Sequence, residues 1–194
     1  MTELSDSLHV AAFVGTDHHP FNRLVEAVDM WFRDAQKTDA NITCLVQYGT
    51  SKPPGVADGV AFLDRAGIER QLGKADIVLS HGGPSTIVEA LRTGKIPLVM
   101  PRDPERGEHI DGHQQRFTAH MARRKLIKVI QNENDLNAAV EYVLEHRDGD
   151  IRSDIDLPNP SASAMKLAVL VDQLIENRNS KGRKSRNPSQ SGWL

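Results

Sequence analysis

A glycine-rich turn between an apolar segment and a helix-like segment is the part of the chain best suited to chemistry. Ile77–Leu79 is typical of a short parallel strand buried on both faces. Gly82 and Gly83 follow it and allow the main chain to approach a ligand closely. Pro84 suits a first helical turn, where its missing N–H is not needed. The free amides of that turn, with those of Ser85-Thr86, favour an anion, so the segment predicts a phosphate site.

Two side chains beside this turn extend the same prediction. Glu89 lies four residues after Ser85, about 6 Å further along the predicted helix, where a carboxylate suits the hydroxyls of a ribose. His81 precedes the glycines, and a protonated ring or a ring N–H there would donate to the phosphate oxygens. The simpler alternative is an ordinary helix start, with Ser85 or Thr86 as a local cap.

Several common nucleotide and nucleophile motifs are absent from the sequence. The chain has no Gly-x-Gly, hence no dinucleotide fingerprint, and no Gly-x-x-x-x-Gly-Lys-Ser/Thr. His81–Gly83 is similar to an esterase oxyanion loop, but no Gly-x-Ser-x-Gly nucleophile elbow accompanies it. Hydride transfer, P-loop phosphoryl transfer and ester hydrolysis are therefore poorly supported.

Apolar segments alternate with segments of helical periodicity along most of the chain. The predicted strands are 9–14, 42–47, 60–63, 77–79, 96–100 and 126–130. The predicted helices are 21–35, 68–73, 84–93, 111–123, 133–145 and 161–175. This alternation predicts an α/β fold with a doubly wound, Rossmann-like parallel sheet over residues 8–177. Residues 178–194 form a basic tail that we expect to be disordered.

Ligands of doubly wound folds gather at the carboxyl ends of the strands. Four segments follow predicted strands and are therefore expected to share one rim. They are Gly15-Thr16, Gly49, His81–Gly83 and the loop 102–114.

The composition limits the class of protein. A length of 194 residues suits one α/β domain, and 24 basic against 26 acidic residues leave a net charge of −2, so no overall field favours nucleic acid. The single cysteine, Cys44, excludes an internal disulfide. No signal peptide or membrane-spanning run is recognisable, and we expect a soluble, cytoplasmic protein.

Three segments together carry a resemblance to a known family. They are Val14–Thr16 with Pro20–Arg23, Ala75–Leu91, and Pro101-Arg102 leading to Gly107–Gln114. Over most of residues 9–145 the chain resembles the carboxyl-terminal, donor-binding half of MurG-like glycosyltransferases, which have the GT-B fold. It is most similar to the stand-alone forms of that half, as in the exopolysaccharide protein PssE and the catalytic subunit of the eukaryotic dolichol-linked UDP-N-acetylglucosamine transferase. One departure is that Asp17 directly follows Gly15-Thr16, before His18-His19.

The resemblance implies a UDP-sugar ligand and a role for each matching residue. Gly82, Gly83, Ser85 and Thr86 would hold the diphosphate, and Glu89 would take the ribose hydroxyls. Asp111, His113 and Gln114 would lie near the sugar or the phosphates, and Gly15-Thr16 would form the floor of the cleft. With the rim residues, the candidate donor-binding set is Gly15, Thr16, Gly49, His81, Gly82, Gly83, Ser85, Thr86, Glu89, Asp111, His113 and Gln114.

No metal or other cofactor is expected for this chemistry. A helix amino terminus with preorganised amides can stabilise a diphosphate leaving group by itself. The spacing of His109, Asp111 and His113 is compatible with metal ligation, but no fourth ligand stands out. The alternative for these residues is a solvated helix start with Asp111 as N-cap.

The length of the chain, read with the resemblance, suggests half of an enzyme. We expect a hexosyltransferase subunit whose acceptor site and general base lie on a membrane-anchored partner that presents a lipid-linked acceptor at the cytoplasmic face. The alternatives are a self-sufficient nucleotide-sugar hydrolase or epimerase using His81 or His113, and a non-catalytic nucleotide-sugar sensor. Arg102 and Arg106 precede the candidate sugar contacts, so a carboxylate-bearing donor such as UDP-glucuronate is one option.

Overall fold

Six parallel strands form one sheet in the computed structural model of the chain, which describes residues 7–145. The strands are β1 His9–Phe13, β2 Thr43–Gln47, β3 Asp58–Val60, β4 Ile77–Ser80, β5 Leu98–Val99 and β6 Lys128–Val129. Their order across the sheet is β3-β2-β1-β4-β5-β6. Every pairing is parallel, which requires a crossover between successive strands.

Helices supply most of these crossovers. They are α1 Asn22–Thr38, α2 Arg65–Lys74, α3 Pro84–Arg92, α4 His113–Arg123 and α5 Glu133–Glu145, with a 3-10 turn at Pro104–Arg106. Helix α1 begins without a side-chain cap and is held by its buried apolar stripe, whereas the Asp64 side chain caps α2 by accepting from the Gly67 amide.

The central strand β1 buries both of its faces. Val10 and Ala12 join the core cluster formed with α1 and α5, while Ala11 and Phe13 pack with Leu72 of α2 on the opposite face. A strand with apolar side chains in both directions is typical of a parallel sheet covered by helices on two sides. The predicted doubly wound α/β fold is therefore confirmed.

The sheet order also fixes where a ligand crevice can form. The chain moves outward from β1 through β2 to β3 and then returns to place β4 on the other side of β1. Loops that leave the carboxyl ends of β1 and β4 consequently run in opposite directions and leave a crevice between them. The segments that begin at Gly15 and His81 lie at this crevice.

Two local expectations about the elements were wrong. Strand β3 lies at Asp58–Val60 instead of 60–63, because Asp58, Gly59 and Val60 are the residues that pair with Leu45–Gln47 of β2. Phe62 belongs to the following turn and is largely exposed. Helix α4 begins at His113 after Gly112, so Asp111 is not its N-cap.

Parts of the sequence-based expectation fall outside the described residues. These are the end of the predicted domain at 177, the helix at 161–175 and the tail 178–194. Among residues 7–145, no helix has both the length and the apolar character needed to cross a bilayer.

Candidate functional site

The turn after β4 leads into a helix amino terminus that has no side-chain cap. Gly82 has a φ of +87°, in the left-handed region that favours glycine, and Gly83 is the N-cap of α3. Pro84 occupies the first helical turn, and no side chain caps the helix. Both glycines are buried, whereas Ser85 is exposed and Thr86 is partly exposed. The alternative in which Ser85 or Thr86 caps α3 is therefore wrong, and the amides of this turn remain available to an anion.

The His81 ring explains why glycine stands on both sides of the crevice. A Cβ added to Gly15 would lie 2.6 Å from the ring of His81, and a Cβ on Gly83 would clash with the same ring. Gly15 also has a φ of +84°. The imidazole thus fills the space between the two turns and holds their backbones close together.

The hydrogen bonding of His81 corrects its expected role. Its Nδ1 lies 3.2 Å from the carbonyl oxygen of Phe13, which can only accept, so Nδ1 carries the proton and Nε2 is an acceptor. Burial, and secondly the positive charge of Arg102, lower the pKa of His81 to about 4. The ring is neutral at pH 7, and this tautomer has no second N–H to donate to a phosphate.

The buried neutral state of His81 predicts acid sensitivity of the fold. Its pKa is lower in the folded chain than in the unfolded chain, so the unfolded state binds more protons between about pH 6.5 and pH 4, and stability falls as the pH falls through that window. For wild type, we expect this group to lower the free energy of unfolding by about 2–3 kcal/mol between pH 7.5 and pH 4.5. Urea denaturation at both pH values measures the loss.

His81→Asn is the matched variant for this pH dependence. An asparagine amide can still donate to the Phe13 carbonyl but does not titrate. Between pH 7.5 and pH 4.5, the free energy of unfolding of His81→Asn should fall by about 2–3 kcal/mol less than that of wild type. Equal losses in both proteins would show that His81 does not carry the effect.

Gln47 joins the loops at the carboxyl ends of three strands. Its side-chain oxygen accepts from the Gly15 amide at 3.1 Å, and its side-chain nitrogen donates to the carbonyl oxygens of Gly15 at 3.0 Å and Ala61 at 2.8 Å. Gly49 is buried directly beneath this turn, where a Cβ would lie 2.8 Å from the Gly15 oxygen. Gly49 therefore supports the loop after β1, while Thr16 is exposed at its surface.

Arg102 is buried, which corrects the expectation that it could bind a carboxylate-bearing donor. Only 1% of its surface is exposed, and its guanidinium donates to the carbonyl oxygens of Val14 at 2.8 Å, His19 at 2.6 Å and Glu108 at 2.8 Å. It also lies over the ring of Phe21. Because its two terminal nitrogens are committed to the backbone, Arg102 joins the loops after β1 and β5 and is not placed to bind a sugar carboxylate.

Glu108 stabilises the second of these loops. The Glu108 side chain is buried, and its Oε2 accepts hydrogen bonds from Arg23 Nη2 at 2.7 Å and from the Asp103 amide at 2.8 Å. Gln47, Arg102 and Glu108 are positioning residues that the sequence analysis did not assign. For two of them the only signal was a polar residue after apolar ones: Gln47 ends β2, and Arg102 follows Met100-Pro101 after β5.

The segment before α4 places three candidate residues at different depths. The Gln114 side-chain oxygen lies 3.4 Å from where a Cβ of Gly82 would be, and it is buried without a hydrogen-bond partner. Asp111 and His113 lie nearer the surface, with His113 Nδ1 2.7 Å from Asp111 Oδ2. The hydrogen bond from the His113 amide, together with that from its ring, lowers the pKa of Asp111. The structure thus brings Gln114 to the glycine turn and leaves His113 at the rim.

Glu89 occupies the predicted position on α3, one turn after Ser85. It is partly exposed, and its Oε1 lies 2.7 Å from Arg92 Nη1 on the same helix. A surface ion pair of this kind contributes little and can be exchanged for a ligand. Glu89 is therefore accessible to a hydroxyl group placed beside the amino terminus of α3.

Fold and geometry define a Rossmann-like α/β domain with an anion-compatible turn at the crevice between β1 and β4. The chain belongs to the glycosyltransferase family 28 C-terminal domain family, whose sequence model matches residues 9–167.

Individual relatives agree with this assignment. The chain is 32% identical, over 76 residues, to the UDP-N-acetylglucosamine--N-acetylmuramyl-(pentapeptide) pyrophosphoryl-undecaprenol N-acetylglucosamine transferase of Streptococcus uberis, covering 38% of this chain and 21% of that enzyme. Among solved structures it is similar to the glycotransferase of kitacinnamycin, with a TM-score of 0.51 and 18% identity, covering 90% of this chain and 41% of the other. It is also similar to CalG4, the calicheamicin glycosyltransferase, with a TM-score of 0.57 and 13% identity, covering 96% and 45%. The two solved structures share the fold, and the chain spans less than half the length of each of the three proteins.

Proposed function

We propose that this domain binds a UDP-sugar at the crevice between β1 and β4 and acts as the donor-binding half of a glycosyltransferase. The observation that carries the proposal is the uncapped first turn of α3, which lies at the point where the strand order reverses. Family membership and the name of the Streptococcus uberis relative support a UDP-sugar as the donor.

The first turn of α3 suits the leaving group of a glycosyl transfer. As the sugar departs, negative charge grows on the diphosphate, and main-chain N–H groups that are already oriented stabilise it without reorganisation. The Ser85 and Thr86 amides, the Ser85 hydroxyl and the positive end of the helix dipole serve this purpose. The Gln114 oxygen, buried and unpaired beside Gly82, is an acceptor for a hydroxyl group of the donor.

The acceptor and the general base are proposed to come from a second component. The matched segments cover 21%, 41% and 45% of the three relatives, so the activities of those whole proteins involve more chain than the segment that matches here. By analogy with the Streptococcus uberis enzyme, whose name gives an undecaprenol-linked acceptor, we propose a lipid-linked acceptor presented by a membrane-anchored partner. The donor would then be held between the two components, with water excluded.

Titration calorimetry with UDP and UDP-sugars tests the donor site. We expect wild type to bind UDP, and Glu89→Ala to weaken that binding by about ten- to a hundredfold, because one charge-assisted hydrogen bond to the ribose contributes about 1.5–3 kcal/mol. Arg92→Ala is the control, since it removes the ion-pair partner of Glu89 and leaves the carboxylate free. Absence of UDP binding at millimolar nucleotide would refute the proposal.

A second candidate function has a specific observation in its favour. The His113 ring is oriented by Asp111 through Nδ1, which leaves Nε2 as a solvent-facing base at the rim. Such a base suits hydrolysis of a bound nucleotide sugar by water. Release of UDP from a UDP-sugar by the isolated chain, lost in His113→Ala, would establish hydrolysis and replace the two-component transfer.

A further inference from the structure

A cluster of imidazole and carboxylate groups lies where the loop after β1 meets the loop before α4. The cluster, called here the Asp17 cluster, consists of Asp17, His18, His19 and His109. The first three each offer a ligand atom, and these atoms lie within 4.8 Å of one another. His109 joins them from the second loop, with Nε2 3.4 Å from Asp17 Oδ2. We propose that the Asp17 cluster is a binding site for a divalent transition metal of the zinc class.

Two separations measured from the Asp17 carboxylate match those between ligands of a tetrahedral ion. Two ligands bound at about 2.0 Å in tetrahedral geometry are separated by about 3.3 Å. The carboxylate of Asp17 lies 3.6 Å from His18 Nδ1 and 3.4 Å from His109 Nε2, near that separation. His19 Nδ1 lies closer, at 2.6 Å, in a hydrogen bond that coordination would replace.

The surroundings of His109 add an observation outside the cluster. Its other ring nitrogen, Nδ1, lies 3.2 Å from the carbonyl oxygen of Asp111 and 3.5 Å from the Asp111 carboxylate, and it accepts a hydrogen bond from the Asp111 amide at 3.3 Å. Histidines that bind metals usually donate the second ring N–H to a carbonyl or carboxylate, which turns the bare nitrogen toward the ion. In the tautomer with the proton on Nδ1, His109 donates to the Asp111 carbonyl oxygen and turns a bare Nε2 toward Asp17; metal binding at Nε2 requires this tautomer in place of the one that accepts from the Asp111 amide.

The charges and ligand types narrow the choice of ion. Three imidazoles and one carboxylate suit zinc, cobalt, nickel or copper better than magnesium or calcium, which prefer oxygen ligands. The Asp17 and Asp111 carboxylates favour a cation, while the buried Arg102, whose guanidinium donates to the His19 carbonyl, opposes it.

Folding brings together metal ligands that are far apart in the sequence. The sequence motif His109-x-Asp111-x-His113 offers no fourth ligand nearby, but folding brings His109 to a carboxylate that lies 92 positions earlier in the chain. An ion at this place would tie the loop after β1 to the loop before α4 at the rim of the crevice. Asp17 and His109 also interact electrostatically with His81, which packs against Gly83, so the metal titration is carried out without nucleotide to keep the two kinds of binding apart.

Metal titration of the tag-free protein, pretreated with a chelator and without nucleotide, tests the proposal. We expect one equivalent of Zn²⁺ to bind in competition with a chromophoric indicator, and Co²⁺ to give the intense visible absorption of four-coordinate cobalt. His18→Ala and His109→Ala should each weaken Zn²⁺ binding about tenfold or more. His18 is 82% exposed, so its replacement leaves the fold intact, which circular dichroism verifies.

His9→Gln is the matched control. His9 lies at the opposite end of β1, where its ring contacts Thr43 and Gln71, and its replacement should leave Zn²⁺ binding unchanged. Failure to bind one equivalent, or equal binding by wild type and the His18 and His109 variants, would overturn the proposal. Because no nucleotide is present, that failure would leave the UDP-sugar proposal standing.

Discussion

Replacing Arg102 with methionine is expected to lower the free energy of unfolding by about 3–5 kcal/mol, because the change leaves buried polar groups without partners. The carbonyl oxygens of Val14, His19 and Glu108 lose the guanidinium that donates to them. Methionine fills much of the space but has no N–H to donate. Urea denaturation of the variant and of wild type measures the difference.

Arg106→Met is the control for this experiment. Arg106 lies four positions further along the same loop, is largely exposed, and its side chain forms a surface ion pair with Asp103 at 3.4 Å. Its replacement should change stability by less than about 0.5 kcal/mol. Equal stability of the two variants would show that the buried guanidinium does not hold the loops together. Loss of cooperative unfolding in Arg102→Met would mean that the change destabilises the fold so strongly that no native state remains to unfold, which also agrees with the expectation.

Replacing Gly83 with alanine should weaken UDP binding at least tenfold and lower stability by about 1–3 kcal/mol. The backbone of Gly83 has a φ of −69°, which alanine adopts readily, so the effect is steric and comes from the His81 ring beneath it. The added methyl group pushes the turn away from the ring and displaces the amides of Ser85-Thr86. Calorimetry with UDP and urea denaturation measure the two effects.

Two further variants separate the clash from a general effect of glycine replacement. Gly73 lies in α2 with nothing within 4 Å of an added Cβ, so Gly73→Ala should raise stability by about 0.5–1 kcal/mol and leave UDP binding unchanged. When the protein already carries His81→Ala, the further change Gly83→Ala should lower the free energy of unfolding by less than it does in wild type. If the two changes are additive, the ring of His81 is not the obstacle.

Local sequence signals were sufficient for the fold and for the glycine turn. The apolar run Ile77–Leu79 and the Gly-Gly-Pro sequence that follows it act within a few residues, so their structural consequence could be predicted directly. The same holds for the alternation of strands and helices. Strand β3 was displaced because its extent depends on pairing with Gln47, which lies 13 positions before Val60 in the chain.

Side chains that join distant loops could not be assigned from the sequence. Arg102 acts on Val14 across 88 positions, and Gln47 acts on Gly15 across 32. The residues adjacent to Arg102 and Gln47 in the sequence give no sign of these contacts, so their structural role could not be predicted. His81 was misjudged for a related reason, because its protonation state depends on burial against Phe13 and on the nearby charge of Arg102.

We propose above that main-chain amides at the start of α3 hold the diphosphate of a uridine nucleotide. Amide-resolved NMR of ¹⁵N-labelled protein during titration with UDP measures this most directly. We expect the Ser85 and Thr86 amide signals to shift strongly and saturably, with smaller shifts at Gly15. Saturable shifts confined to another surface, with Ser85 and Thr86 unchanged, would contradict it.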